Sequence, residues 1–343
     1  MKNLIFILIF LSFSFTALCQ GGVNFEQLTF DEALSKAKAE NKLVFMDCYT
    51  TWCAPCKYMA DNVFPREEAG EFFNPKFVSV KFDMENGEGK ELAQKFGVRA
   101  YPTFLIIRPD GSVQHRIVGG VNLDKFIEIA ERGLNVKTSF DYLDRLHEKG
   151  KMNKKQLISY QIALNDAYEE EKSNKVAQEL KSILKEKDKM QKEYWPILEK
   201  ESFGSDGFKL VLNNLSTFRK NVGKEKIDNY LFENYFSTIG ESLNADAKPH
   251  GETLKQIKSE LENLDIDGKD VLLSTIELNQ ACLMSDINKI ISIAEKINTN
   301  ENGELWSAME ALGFIKNKAS KDDLKRILRL EEQYMNLVED DNK

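Results

Sequence analysis

The apolar run Leu43-Val44-Phe45-Met46 leads through Asp47, Cys48 and Tyr49 into Trp52-Cys53-Ala54-Pro55-Cys56-Lys57. This stretch constrains the fold more than any other. A run that is apolar on both faces reads as the central strand of a buried sheet. The residues after Cys53 can be helical, and a strand that feeds a helix through C-x-x-C reads as a thiol redox site. Two intervening residues let both sulfurs reach disulfide geometry across the first helical turn. The first sulfur then lies at the helix N-terminus, where the dipole and free N–H groups favour a thiolate. Pro55 in that turn costs little, because its missing N–H would have no intrahelical partner. Two plainer readings stay open: half of a zinc site, or a structural disulfide. Zinc needs two more ligands, and the sequence offers neither a second C-x-x-C nor a nearby histidine. Cys48 adds a third reading, since C-x4-C-x2-C is the spacing of plant-type iron–sulfur proteins. Cys48 sits inside the strand run, however, and the only later cysteine is the distant Cys282. A small buried apolar residue is the role that fits it better.

At 343 residues the chain allows two or three domains, and a hydrophobic content of 42% supports real cores. The net charge of −8 comes from interspersed signs, with no basic stripe, which argues against a nucleic-acid partner. The three histidines are far apart, which argues against a His-based metal centre. Met1-Lys2-Asn3 is a basic start, Leu4 to Leu11 is unbroken apolar, and small residues follow at Cys19-Gln20-Gly21-Gly22. This pattern predicts a signal peptide over 1–20, cleaved near Cys19–Gln20. It is shorter than the ~20 residues of a membrane span. A retained anchor and a lipidated Cys19 are the alternatives, and Thr16-Ala17-Leu18 is a poor lipidation motif. An exported protein would work in the periplasm or cell envelope. There a C-x-x-C pair stays reduced only with a supply of electrons, so a reductase implies an upstream donor.

Four features together resemble the thioredoxin family. Trp52-Cys53-Ala54-Pro55-Cys56-Lys57 is similar to its active site. Asp47, six residues before Cys53, stands where thioredoxins keep a buried acid. Tyr101-Pro102-Thr103, after Val98-Arg99-Ala100, is similar to the cis-proline segment, and Asp110-Gly111 to the last hairpin. The resemblance covers about residues 24–135, roughly a third of the chain. Asn62-Val63-Phe64 after the active-site helix resembles the thioredoxin-like domain of envelope thiol-disulfide interchange proteins. Ala54-Pro55 replaces the usual Gly-Pro, so the family's redox potential does not carry over.

The resemblance implies an α/β thioredoxin fold, a central mixed sheet flanked by helices, over 21–135. It implies Cys53 as nucleophile, Cys56 as resolving thiol and Asp47 as proton carrier beside Cys56, its pKa raised towards neutrality by burial. An acid satisfied by hydrogen bonds is the structural alternative for Asp47. Trp52 would shield the site. Ala54 and Pro55 would complete the substrate-facing motif. Pro102, if cis, would aim the backbone of Tyr101 at an extended substrate strand. No metal is expected, and no cofactor beyond the redox-active Cys53–Cys56 disulfide. The elements expected in order are a short strand from Phe25, a helix from Phe30, the Leu43–Tyr49 strand and the Ala54–Phe64 helix. A helix from Arg66, a strand from Phe77, a helix to Phe96, the hairpin Thr103–Ile107 and Val113–Val118, and a helix over Leu123–Leu134 complete the domain.

From 136 to 343 proline nearly disappears and apolar residues recur at helical spacing, as in Leu157, Tyr160 and Leu164. About ten short helices are expected, an all-α domain resembling tetratricopeptide arrays without a strict period. Its aromatics read as core, Cys282 as buried and inert, and His147 and His250 as surface residues. The leading functional reading is a thiol-disulfide oxidoreductase, a protein-disulfide reductase acting by mixed-disulfide exchange in cell redox homeostasis. Its partners would be disulfide-bearing proteins, an electron donor and, on the helical region, a protein partner. The alternative is an interaction protein whose helical array binds that partner, with the first domain as scaffold.

Overall fold

Thr29 and Glu32 form a reciprocal capping box that starts α1, Phe30–Glu40, and Asn41, at φ 53°, ends it. Its buried face is Phe30, Ala33 and Ala37. The chain then enters β1, Leu43–Tyr49. In this computed structural model the described residues are 21–242, 248–297 and 303–340. The leader-like segment with Cys19 lies outside them. The chain divides into two compact units, one ending at Leu184 and one beginning at Lys185.

The first unit is built on a four-stranded sheet, order β2-β1-β3-β4, with β2 at Phe77–Asp83, β3 at Thr103–Ile107 and β4 at Val113–Val118. β1 pairs parallel with β2 and antiparallel with β3, and β3 pairs antiparallel with β4, so the sheet is mixed. The expected short strand at Phe25 reduces to a single parallel bridge to Ser79. The period of two along β1 sorts its side chains between two cores. Val44, Met46 and Cys48 pack with Phe30, Ala33 and Leu92 on one face. Phe45 packs on the other with Met59, Phe64, Phe104 and Phe126. Phe45 and Phe104 stack at 5.8 Å, and Phe104 meets Phe126 edge-on at 4.7 Å. Burying each such ring is worth roughly 1.5–3 kcal/mol, which fixes β1 at the centre.

The remaining helices frame this sheet. α2, Ala54–Tyr58, passes into a π-helical turn over Met59–Val63, so the expected Ala54–Phe64 helix is widened in its second half. α3 is Glu67–Phe73, α4 is Gly89–Phe96 with Gly97 as left-handed cap, and α5 is Leu123–Leu134, capped by Asn122. Three further helices belong to the same unit: α6 Phe140–Glu148, α7 Lys154–Asp166 and α8 Glu170–Ile183. The buried His115 of β4 accepts the Phe140 N–H at Nδ1, 3.1 Å away, at the start of α6. Arg132 of α5 donates to the buried Asp166 of α7 at 2.7 Å. The unit therefore runs past residue 135, where the composition changes, to Leu184.

The second unit is helical throughout its described residues: α9 Glu186–Lys189, α10 Trp195–Leu198, α11 Asp206–Asn213, α12 Leu215–Val222, α13 Lys224–Glu241, α14 Lys248–Glu262, α15 Lys269–Leu283, α16 Ile287–Ala294, α17 Glu304–Ile315 and α18 Lys321–Asp340. One core gathers Trp195, Phe208, Phe218 and Tyr235, and another Leu278, Ile291, Leu312 and Tyr334. Most aromatics of this region are thus core, as expected, and Cys282 is buried in the second, largely aliphatic cluster. The side chain of His250 lies outside the described residues, and His147 is half-exposed against Glu179 at 3.2 Å.

Candidate active site

β1 ends at Tyr49, and Thr50 begins the turn that brings Cys53 to the start of α2. The Cys53 N–H donates to the Thr50 carbonyl at 3.3 Å. Cys53 is the helix N-cap, with extended backbone at φ −72° and ψ 112°. Its Sγ accepts the backbone N–H of Cys56 at 3.1 Å. A sulfur that takes a free N–H at a helix start is held where negative charge is favoured. Pro55 lies in the first turn, as its missing donor allows. Cys53 and Cys56 form a disulfide, and both are buried, at 3% and 7% exposure.

Asp47 points to the face of β1 that carries α2, the same face as Phe45. It is 7% exposed, and its Oδ1 has no hydrogen-bond partner among the described residues. Burial raises its pKa from 3.8 to about 7, against a smaller opposing pull from Lys81. Lys81 is its register partner on β2. Asp47, Cys56, Lys57 and Lys81 line one cavity of about 250 Å³. No protein group among the described residues donates to this Oδ1. A group near neutrality can both accept and return a proton at physiological pH.

The other rim is aromatic. Trp52, next to Cys53 in the chain, is 65% exposed. Its Nε1 donates to both carboxylate oxygens of Glu85 at 3.1 Å, and its ring meets Tyr101 edge-on at 6.0 Å. The Tyr101–Pro102 bond is cis. Thr103 Oγ1 donates to the Ala100 carbonyl at 2.8 Å, and the Gly119 N–H to the Pro102 carbonyl at 2.9 Å. Among the described residues the Tyr101 N–H and C=O take no backbone partner, so they are available to an added strand. Gly120 permits the close approach of this loop to α2, because a Cβ there would lie 3.2 Å from the Pro55 carbonyl oxygen.

Cys48 does not join the site. It is buried on the opposite face of β1 from Asp47, and burial pushes its thiol far above the ordinary range. Strand parity thus separates it from Cys53 and Cys56, which disposes of the C-x4-C-x2-C cluster. Two residues absent from the sequence reading enter here, Lys81 and Glu85. The alternation of Phe77–Phe82 shows a strand but not its register, so it could not place Lys81 against Asp47. Glu85 lies in a turn with no pattern of its own.

Residues 30–133 match the family of the thioredoxin-like domain. Over 90 residues the chain is 42% identical to a thioredoxin H-type of Oryza sativa subsp. indica, covering 26% of this chain and 68% of that one. The chain belongs to the thioredoxin family. To the thiol:disulfide interchange protein DsbD of Pseudomonas fluorescens it is 32% identical over 99 residues, 28% of this chain and 17% of that protein, so it spans less than a fifth of it. A solved structure from Bacteroides thetaiotaomicron, a suggested disulphide-isomerase, is 44% identical, covers 34% of this chain and 95% of that one, and superposes with a TM-score of 0.32. The site of this thioredoxin-family chain is that of a thiol-disulfide oxidoreductase, with Cys53, Cys56 and Asp47 assembled in one place.

Proposed function

We propose that this protein is a protein-disulfide reductase exported to the cell envelope. The observation that carries the reading is Asp47, a buried carboxyl without a partner at Oδ1, sharing a cavity with Cys56. In the reduced form the Cys53 thiolate attacks one sulfur of a substrate disulfide. The other substrate sulfur leaves as a thiolate and takes a proton from water. Cys56 then gives its proton to the Asp47 carboxylate and attacks Cys53 Sγ, breaking the mixed disulfide. The second substrate thiolate leaves, and Cys53–Cys56 holds the two electrons' worth of oxidation. An upstream dithiol donor restores the pair. The free backbone groups of Tyr101 hold the substrate strand, with Pro102 beneath it and Trp52, Ala54 and Pro55 around it.

Export is supported by the leader-like pattern of the first twenty residues. Among the described residues no helix is long and apolar enough to cross a membrane. Insulin reduction with dithiothreitol as electron source tests the activity. The full chain is expected to accelerate precipitation of the insulin B chain, and Cys53→Ser to show the rate of dithiothreitol alone. A wild-type rate equal to that background would overturn the reading.

A further inference from the structure

Beside the Tyr101–Pro102 loop, on the side away from Asp47, lies a second cavity of about 320 Å³. Its floor and one wall come from the thioredoxin-like part: Arg99, Ala100 and Thr103 before and in β3, and Arg116 on β4. The opposite wall is the turn Ala167-Tyr168-Glu169 between α7 and α8, which lies beyond the family-matched residues 30–133. An appended element thus completes a concave site next to the loop that offers the Tyr101 backbone.

The two arginines differ in how they are held. Arg116 is anchored, because its guanidinium donates to the Phe96 and Gly97 carbonyls at the end of α4. A guanidinium has five N–H donors, so several remain for a ligand. Arg99 is exposed and makes no hydrogen bond or ion pair among the described residues. The nearby carboxylate, Glu169, is not in ion-pair contact with either arginine, and the three groups together leave the pocket with an excess positive charge. The turn that closes it is fixed. Asp166, the last residue of α7, is held by Arg132, and the Tyr168 and Glu169 amides donate to Asn165 and Leu164 carbonyls. Tyr168 occupies this turn at φ 56°, a left-handed conformation usual for glycine, with 65% of its surface exposed. A bulky aromatic is therefore kept at the rim, where it offers a face to an arriving chain.

We propose that this pocket is a substrate-specificity subsite that receives an acidic side chain flanking the reactive cysteine of the polypeptide being reduced. It rests on the reductase reading and deepens it. The substrate strand that pairs with the Tyr101 backbone runs past Ala100 and Arg99. A carboxylate beside its cysteine enters between the Arg99 and Arg116 guanidiniums, where a bidentate pairing is available. The Tyr168 ring covers its stem.

The test uses the full chain and two disulfide-bonded peptides that differ only in glutamates or lysines flanking the cysteine. Reduction of both is measured, together with reduction of the small disulfide hydroxyethyl disulfide. Binding of the cysteine-to-serine versions of both peptides is followed by fluorescence anisotropy. Wild-type protein is expected to prefer the acidic peptide by about 10-fold in kcat/KM and in affinity. Arg99→Glu should reverse that preference, Arg99→Lys should retain part of it, and Tyr168→Gly should weaken it while leaving hydroxyethyl disulfide reduction unchanged. Equal handling of both peptides, or a preference that survives Arg99→Glu, overturns the subsite. If hydroxyethyl disulfide is not reduced at all, the reductase reading falls, and the anisotropy still decides the subsite for or against.

Discussion

Two buried carboxylates, one in each unit, are treated in opposite ways, and Asp166 of the first unit, paired with Arg132, sides with the second. In the first, Asp47 is sealed into the sheet, and burial raises its pKa to about 7. In the second, Asp228 is equally buried, at 1% exposure, but Arg219 and Lys224 both reach it at 2.7 Å. The buried amide of Asn279 in the same unit is likewise answered, by the Ile239 carbonyl at 2.7 Å and Ser242 at 3.2 Å. A paired buried charge holds elements together; an unpaired one costs stability and persists where it has chemistry to do. The cysteines differ likewise, with buried Cys48 of the first unit siding with Cys282. Cys53 sits at a helix start, whereas Cys282 is among apolar side chains and burial pushes its thiol up to about 11.

The largest expected effect follows from the cysteines. Cys53→Ser should take disulfide reduction to background, whereas Cys48→Ser and Cys282→Ser should leave the insulin assay intact. Loss of activity in Cys282→Ser would break the contrast between the units. Asp47→Asn comes next. It should slow resolution of the mixed disulfide by roughly 10²-fold, read by quenched-flow trapping of the intermediate.

The same substitution should stabilise the first unit at alkaline pH. Folded Asp47 keeps its proton up to about pH 7, whereas the unfolded carboxyl loses it near 3.8. Raising the pH across that window therefore favours unfolding, by up to about 4 kcal/mol above pH 7. Below pH 4 the effect vanishes. Hydrogen exchange of β1 amides at pH 4 and pH 8 measures it, and an Asp47→Asn chain equally protected relative to wild type at both values would refute the unpaired-acid account. His115 has the opposite sign. Burial depresses its pKa from 6.5 to about 4, so the unfolded chain binds the proton first as pH falls. Its contribution is intact above 6.5 and shrinks by up to about 3 kcal/mol towards pH 4. In an Asp47→Asn chain the protection of the β4 amides, after allowance for the slower intrinsic exchange in acid, should therefore fall as the pH falls through this window. In β1 and β4 together the two trends offset, and Asp47→Asn should unmask the acid-side loss. The smallest effect is Asp228→Asn, about 1–3 kcal/mol of destabilisation confined to the second unit, seen in exchange of α12 and α13, with thiol reduction unchanged.

Much of this was legible before any fold was known. The helix start at Phe30, the β1 boundaries, the C-x-x-C pair and the hairpin over 103–118 are written in neighbouring residues. The cis bond before Pro102 was implied only by resemblance to a family. The π turn after Tyr58 was not legible, because residues that suit an α-helix also suit its widened form. Nor was the packing of α6–α8 on the sheet, since the compositional change at 136 marks a new helical character and not the end of a compact unit.

The sequence by itself determined the reactive pair, the order of strands and helices in the first unit, and the presence of an acid in its central strand. These depend on spacing, capping and alternation, which act over a few residues. Only the tertiary structure decided that Lys81 faces Asp47, that Glu85 holds Trp52, and that Tyr168 and Glu169 close a pocket beside Tyr101. Those meetings join residues from about 30 to about 70 positions apart. Strand register and helix docking set them, and both follow from which apolar faces can be buried together.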